Sequence, residues 1–159
     1  MERKLHRLNR IDRNILRVLQ KDARTSYAEL ARRVGLSTTP CKGRVKRLER
    51  EGVIRGYQAT LNPEFLDAGL VVFVQIRLNR TSQAIFEEFT DSAYDLPEVQ
   101  ECYLVSGNFD YLIKARVADM AAYREFLGET LLTLPGVLES TSYVVMEQVK
   151  ETLALDIPY

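Results

Sequence analysis

The chain of 159 residues contains one histidine and two cysteines, too few for most catalytic or metal-binding arrangements. Cys41 and Cys102 lie 61 positions apart, and His6 is close to the start of the chain, so no His/Cys spacing fits a zinc site. A serine or cysteine nucleophile would also need a suitably placed base. The phosphate-binding loop, the GxGxxG fingerprint and the nucleophile elbow are all missing. We therefore expect no catalytic residues, no metal, no cofactor and no structural disulfide.

Long apolar runs are missing too. The sequence contains no run of about 18 apolar residues, which predicts that no helix spans a membrane. Residues 1–6 lack the apolar stretch of a secretory signal. Hydrophobic residues nevertheless make up 46% of the chain, enough for packed cores. These features predict a folded cytoplasmic protein without a membrane partner.

The formal net charge is zero, but this total conceals a strong asymmetry. Residues 1–60 carry 16 Lys and Arg against 6 Asp and Glu, a net of +10. Residues 61–159 carry 6 against 16, a net of −10. The asymmetry predicts two parts with different partners, the basic one suited to phosphates and the acidic one to oligomerisation or ligand sensing. The alternative is a basic surface that is only solvated.

Three helices are predicted in the basic part. The first covers residues 10–22, with Asn9 as its N-cap. Ser26 opens the second through a capping box with Glu29, and Gly35 suits its left-handed stop. Ser37 opens the third, which continues to about residue 51. Two helices joined by so short a turn indicate a helix-turn-helix, whose second helix lies in the major groove.

The third helix has two different faces. Cys41, Val45 and Leu48 fall on one side and are predicted to pack on the first two helices. The other side carries Thr39, Gly43, Lys46, Arg47 and Arg50, while Lys42 and Arg44 lie at its boundary with the buried side. Arg44 and Arg47 suit bidentate contact with guanine or phosphate. The predicted DNA-binding residues are Ser37, Thr38, Thr39, Lys42, Arg44, Lys46, Arg47 and Arg50.

Gly43 lies in the middle of this helix, where glycine costs about 1 kcal/mol relative to alanine. Its lack of a side chain would let the backbone approach DNA closely. The alternative, which we favour on sequence grounds, is simple tolerance of glycine at an exposed position.

Two short β-prone runs follow the third helix. They occupy residues 53–57 and 58–61 and contain Arg55-Gly56, which predicts a small hairpin or wing. Asn62-Pro63 marks a turn, and residues 64–69 read as a linker. We place a winged helix-turn-helix domain with its linker at residues 8–69.

The acidic part alternates between strand and helix patterns. Strands are predicted at residues 70–78, 99–106, 111–117 and 138–146, and helices at 82–96 and 119–134. The inward residues of the last helix would be Met120, Tyr123, Leu127 and Leu131. The order β-α-β-β-α-β is typical of a ferredoxin-like domain, placed at residues 70–159. The fold class is therefore α+β, and apolar groups on the uncovered sheet face favour dimerisation.

One turn in this part suits a small ligand. In the turn at residues 107–110, Gly107 allows close backbone approach and Asp110 suits an ammonium group. An ordinary hairpin turn also uses Gly, Asn and Asp, and residue physics alone favours that interpretation. The same physics reads residues 143–146 as core strand.

Five segments in order resemble the Lrp/AsnC family of bacterial transcription regulators: residues 11–16, 33–37, 39–41, 47–50 and 104–111. The resemblance covers nearly the whole chain. It implies an N-terminal winged helix-turn-helix, a C-terminal amino-acid-sensing domain, and dimers that assemble further, commonly to octamers. It also implies that an effector binds at contacts between dimers. The effector-binding residues it implies are Leu104, Gly107, Asp110, Met120, Tyr143, Val144 and Val145.

Together these features predict a sequence-specific DNA-binding regulator of amino-acid metabolism genes. Its partners would be double-stranded DNA, an amino-acid effector such as leucine or alanine, and further copies of itself, in a cytoplasmic, nucleoid-associated setting. Two other functions stay open. One is an architectural, largely non-specific DNA-bending protein, and the other is an amino-acid-binding regulatory subunit of an enzyme.

Overall fold

A computed structural model describes residues 8–79 and 82–158 of the chain. His6 lies outside these residues. The described chain divides into two compact units. The first unit contains residues 8–60 together with the C-terminal residues 150–158, and the second unit contains residues 61–149.

The first unit consists of three helices around one core. Helix α1 spans Arg10–Lys21, α2 spans Tyr27–Val34 and α3 spans Thr38–Arg50. The predicted apolar faces meet in this core, and burying them supplies the main stabilisation of such short helices. The buried apolar residues are Ile15, Leu19, Leu30, Ala31, Val34, Cys41, Val45 and Leu48.

The predicted start of α1 and the predicted start and end of α2 are confirmed. Asn9 caps α1, since its side chain accepts from the amide of Asp12 at 2.9 Å. Ser26 caps α2 by accepting from the amide of Glu29 at 3.3 Å. Gly35 ends α2 with φ of 71°, in the left-handed region that a residue with a Cβ rarely adopts. Side-chain caps thus set where α1 and α2 begin. Ser37 occupies the N-cap position of α3, but its side chain forms no capping hydrogen bond.

The predicted hairpin after α3 is wrong, because the described residues 53–61 contain no strand. The amides of Val53 and Ile54 donate to the carbonyl oxygen of Leu48 instead, at 2.9 and 3.1 Å. Those donors close the end of α3 and are no longer available for a strand ladder. The hydroxyl of Tyr57 donates to Glu49 at 2.8 Å, which holds the following residues against the same helix.

The second unit has the predicted βαββαβ order. A short 3-10 turn at Pro63–Leu66 precedes strand β1 (Leu70–Leu78), helix α4 (Gln83–Tyr94), strands β2 (Val99–Leu104) and β3 (Tyr111–Val117), helix α5 (Met120–Glu125) and strand β4 (Val137–Val144). The four strands form one antiparallel sheet in the order β2-β3-β1-β4. Its core lies between the helices and the sheet, where Phe89 and Ile113 are fully buried.

The second predicted helix is interrupted. Helix α5 ends at Glu125, and the chain continues through a wider π turn at Phe126–Thr130 and a 3-10 turn at Leu131–Thr133. The wider turn changes the helical phase, so Phe126 becomes buried and Leu127 only partly so. Met120, predicted to face inward, is 47% exposed because it is the first helical residue after the Asp119 cap. The inward prediction for Met120 is therefore wrong.

Candidate DNA-binding and ligand-binding sites

Six of the eight predicted DNA-binding residues lie on the exposed side of the helix-turn-helix. Ser37 precedes α3, and Thr38 and Thr39 form its first turn. Lys42, Lys46 and Arg50 follow at intervals of four residues, so they form one row along the helix, here called the basic stripe. The six exposed residues are Ser37, Thr38, Thr39, Lys42, Lys46 and Arg50.

The other two, Arg44 and Arg47, point toward α1 and are about one-third exposed. Arg44 lies 3.0 Å from one carboxylate oxygen of Asp12, and Arg47 lies 2.7 Å from the other. Asp12 itself is fully buried. The two arginines therefore fix α3 to α1, a use that the helical pattern of α3 alone did not indicate.

Asp12 is the functional residue that the sequence reasoning missed. It also accepts from the backbone amide of Asn9 at 3.3 Å, which completes a capping box. Burial raises the pKa of Asp12, but hydrogen bonds from Arg47, Arg44 and Asn9 outweigh that effect and hold the pKa below its ordinary value. A signal was present in the sequence, since an aspartate three residues after an N-cap asparagine fits the capping-box pattern.

Other charges in the first unit are also paired. Glu29 contacts both Arg32 and Arg33 at 2.7 Å, and Arg32 in particular lowers the pKa of Glu29 to about 2. The Lys42 ammonium lies 5.8 Å from the centre of the Tyr27 ring, within cation–π range. Part of the basic excess is thus neutralised internally, while the basic stripe faces outward.

Gly43 is exposed, and a Cβ added there would meet nothing within 4 Å. We expect Gly43→Ala to stabilise the protein by about 1 kcal/mol, because alanine restricts the unfolded chain and favours helix. We expect DNA affinity to stay unchanged. Urea denaturation and a binding titration at fixed salt measure the two quantities. Higher stability with clearly weaker DNA binding would instead favour close approach of the backbone to DNA.

The turn between β2 and β3 is held by Asp110. Its carboxylate accepts from the amide of Leu78 at 2.7 Å, and its own amide donates to the carbonyl oxygen of Ile76 at 2.9 Å. Its carbonyl oxygen accepts from the amide of Val105, also at 2.9 Å. Asp110 therefore links the turn to the end of β1, while Gly107 beside it is exposed with open space around it.

The seven residues implied as effector-binding lie at two ends of the sheet. Leu104 pairs with Tyr111 at the start of β3, next to the turn that holds Gly107 and Asp110. Val144 pairs with Val72 near the start of β1, and Val145 donates to the carbonyl oxygen of Val71. Tyr143 precedes these two on β4, and Met120 follows the end of β3.

The register gives the separation of these two groups. Tyr111 also pairs with Ile76, four residues along β1 from Val72, which corresponds to about 13 Å. A single small amino acid does not reach across that distance. One copy of the chain therefore does not gather all seven residues around one ligand.

The second unit also contains a cavity of about 510 Å³ that sequence reasoning missed. Arg116 lines it and is buried, with hydrogen bonds to Gln100 at 2.9 Å and to the carbonyl oxygen of Ala68 at 3.3 Å. Four carboxylates also line it, those of Asp67, Glu98, Glu125 and Glu129. The seven implied effector residues are not among its lining residues.

No helix among residues 8–79 and 82–158 is long and apolar enough to cross a membrane. Within those ranges there is also no group of three or more His, Cys, Asp or Glu side chains placed to hold a metal ion.

A helix-turn-helix that exposes a basic stripe, joined in one chain to a ferredoxin-like domain, is the arrangement of a DNA-binding regulator. Comparison with known proteins agrees with this class. Residues 8–55 match the family model "Winged helix-turn-helix DNA-binding", and residues 71–155 match "Lrp/AsnC ligand binding domain".

Similar proteins and solved structures identify the family of DNA-binding regulators to which the chain belongs. The chain is 62% identical over 145 residues to the leucine-responsive regulatory proteins of Klebsiella pneumoniae and Escherichia coli K12, covering 91% of this chain and 88% of each relative. A Neisseria meningitidis transcriptional regulator solved with L-methionine is 38% identical with a TM-score of 0.89, covering 94% of this chain and 96% of its own. The feast or famine regulatory protein of M. tuberculosis, also solved with L-methionine, is 34% identical with a TM-score of 0.86, covering 95% and 99%. This chain belongs to the Lrp/AsnC family of transcription regulators.

Proposed function

We propose that this protein is a sequence-specific regulator of amino-acid metabolism genes whose occupancy of DNA is set by a bound amino acid. The observation that carries the proposal is the exposed side of α3. It presents the basic stripe beside two threonine hydroxyls at the helix N-terminus, the end that approaches bases in a helix-turn-helix.

Each predicted DNA-binding residue has a role in this proposal. Ser37, Thr38 and Thr39 contact base edges or phosphates near the start of α3, and Lys42, Lys46 and Arg50 contact phosphates. Arg44 and Arg47 act mainly by fixing the angle of α3 through Asp12, with their remaining N–H groups directed to the backbone of DNA.

The effector is proposed to be leucine or a similar amino acid such as alanine or methionine. The name of the relatives that are 62% identical supports leucine, and the two solved complexes support methionine. The seven effector residues lie at two ends of one sheet, which supports a site shared between copies of the chain. The carboxylate of Asp110 is already bonded to the amide of Leu78 at the end of β1, so its role there is to hold the turn in shape around the ligand.

A homodimer that assembles further, to an octamer, is proposed as the active form. The sheet face away from the helices supports it, because directly paired residues share one face of a sheet. Phe73 pairs with Tyr143, and Leu112 pairs with Tyr103, and both tyrosines are about half exposed. Covering such aromatic groups on a second copy is favourable. We place the protein in the cytoplasm, on the nucleoid.

Binding to a selected operator and to random DNA at the same salt concentration tests the proposal. The full chain is used to select preferred sites from a random pool, and both affinities are measured with and without each amino acid that raises its thermal stability. We expect a specificity ratio of about 1,000 or more, altered by leucine or a similar amino acid. A ratio near one would favour the architectural function. No stabilisation by any of the twenty amino acids would contradict effector sensing.

A further inference from the structure

The C-terminal residues 150–158, here called the C-terminal strap, lie against α1 of the first unit. Gln20 forms two hydrogen bonds with Leu155. Its side-chain oxygen accepts from the Leu155 amide at 2.9 Å, and its side-chain nitrogen donates to the Leu155 carbonyl oxygen at 2.8 Å. Arg17 donates from two of its nitrogens to the carbonyl oxygen of Ile157, at 3.2 and 2.8 Å.

All four bonds reach the backbone of the strap. The Gln20 side chain therefore satisfies both backbone groups of Leu155, its N–H and its C=O, as a paired residue on a neighbouring β-strand does. Arg17 and Gln20 are three residues apart and so lie on the same face of α1. Leu153 is 86% exposed, whereas Ile157 is half-buried, so the strap is anchored at defined positions rather than along its whole length.

Helix α1 thus has two kinds of partner. Its N-terminal turn carries Asp12, which holds Arg44 and Arg47 of the DNA-binding helix α3. Its C-terminal half carries Arg17 and Gln20, which hold the strap. A displacement of α1 therefore changes the position of α3.

The strap is also close in sequence to the proposed effector site. Val145, directly after β4, donates its amide to the carbonyl oxygen of Val71, and the strap begins five residues later. The chain consequently connects the two units twice, once after Thr60 and once before Lys150.

We propose that the C-terminal strap is the element that conveys effector occupancy to the DNA-binding helix, by binding α1 in one effector state and leaving it in the other. This rests on the proposed function, since it needs an amino acid bound near Tyr143–Val145. Arg17 and Gln20 are positioning residues in this scheme. A ligand that favours one state of the strap shifts the population of α1 positions and hence the affinity for DNA.

Two proline variants of the full chain test the proposal. Leu155→Pro removes the N–H that donates to Gln20, while Leu153→Pro serves as the matched control in the same segment. Gln20→Ala removes the same contact from the other side without changing charge. Hydrogen exchange at the Leu155 amide reports docking, since that amide donates to Gln20. Thermal shift with leucine, alanine or methionine reports effector binding. A titration of operator DNA with and without the same amino acid reports coupling.

In the parent chain and in Leu153→Pro we expect slow exchange at the Leu155 amide and an effector-induced affinity change of about 5-fold or more. In Gln20→Ala we expect fast exchange at the Leu155 amide. In both Gln20→Ala and Leu155→Pro we expect an affinity change within about twofold, with the thermal shift by the amino acid retained. Fast exchange in the parent chain would refute docking, and a retained affinity change after loss of docking would refute coupling. A missing thermal shift in the parent chain would overturn the proposed sensing function and the coupling role with it, while the exchange result still decides docking.

Discussion

Replacing Arg44 and Arg47 together with alanine is expected to destabilise the first unit by about 3–5 kcal/mol at neutral pH. The reason is the carboxylate that the two arginines leave behind. Asp12 is fully buried, and both of its oxygens are paired with these arginines. Without them a buried charge loses its compensation, which costs much more than the loss of an exposed ion pair.

The cost should depend on pH with a definite sign. In the parent chain the pKa of Asp12 is lowered, so the contribution of the carboxylate to stability is complete above its unfolded value of about 3.9 and is lost as pH falls below that. In the double variant burial alone remains dominant and raises that pKa. The variant should therefore gain stability relative to the parent chain as pH falls from 7 toward 4.

Urea denaturation of the full chain followed by circular dichroism, at pH 7 and near pH 4.5, measures the difference. Hydrogen exchange in α1 and α3 shows that the affected transition belongs to the first unit. Adding Asp12→Asn to the double variant removes the buried charge and should recover part of the loss. A double variant as stable as the parent chain at pH 7 would mean that Asp12 is not compensated by these arginines.

Replacing Lys42 and Lys46 with alanine is expected to give the opposite pattern, with stability kept and DNA binding lost. Both side chains are exposed on the basic stripe. Each phosphate contact contributes about one power of salt concentration to the binding constant. Losing two contacts should reduce the slope of log K against log salt by about 2 and weaken binding about 100-fold near 0.1 M salt. Stability should change by less than about 1 kcal/mol, the scale of an exposed cation–π contact such as that of Lys42 with Tyr27.

Titrations of operator DNA at several salt concentrations measure the slope and the affinity together. Arg32→Ala with Arg33→Ala is a matched control, since it removes two cations of the same unit that Glu29 already engages. We expect that control to change the slope less than the α3 variant does. An unchanged slope in Lys42→Ala/Lys46→Ala would contradict phosphate contact by the basic stripe.

Elements with strong local signals were predicted well from the sequence. Strands β1 and β3 have the predicted ends, and α1 and α2 begin at the predicted caps. Each of these elements is specified by a signal that spans only a few residues: alternating apolar and polar residues in a strand, helical spacing of apolar residues, or a capping side chain. The hairpin after α3 failed because the amides of Val53 and Ile54 close that helix instead. The π turn at Phe126–Thr130 was not predicted, because a continuous helical pattern in the sequence gives no sign of one wider turn.

The candidate DNA-binding and effector sites were likewise predicted only where the signal is local. The sequence located α3 and its basic stripe, because charge and periodicity along one helix define an exposed face. It placed Arg44 beside the buried face but gave Arg44 and Arg47 the same DNA-binding role as the other cations of α3. Their pairing depends on Asp12, which lies 32 residues before Arg44. The resemblance supplied the effector residues, and only the strand register showed that they lie at two ends of the sheet.

The sequence by itself determined the class of each element, the order of the two domains, and the separation of +10 and −10 charge that cancels in the total. Only the tertiary structure decided which charges stay available for DNA and where the last residues bind. Arg17 and Ile157 are 140 residues apart, and no periodicity within either segment specifies the other as its partner. Local patterns fix which face of an element is buried, whereas pairing across the chain depends on how the elements pack together.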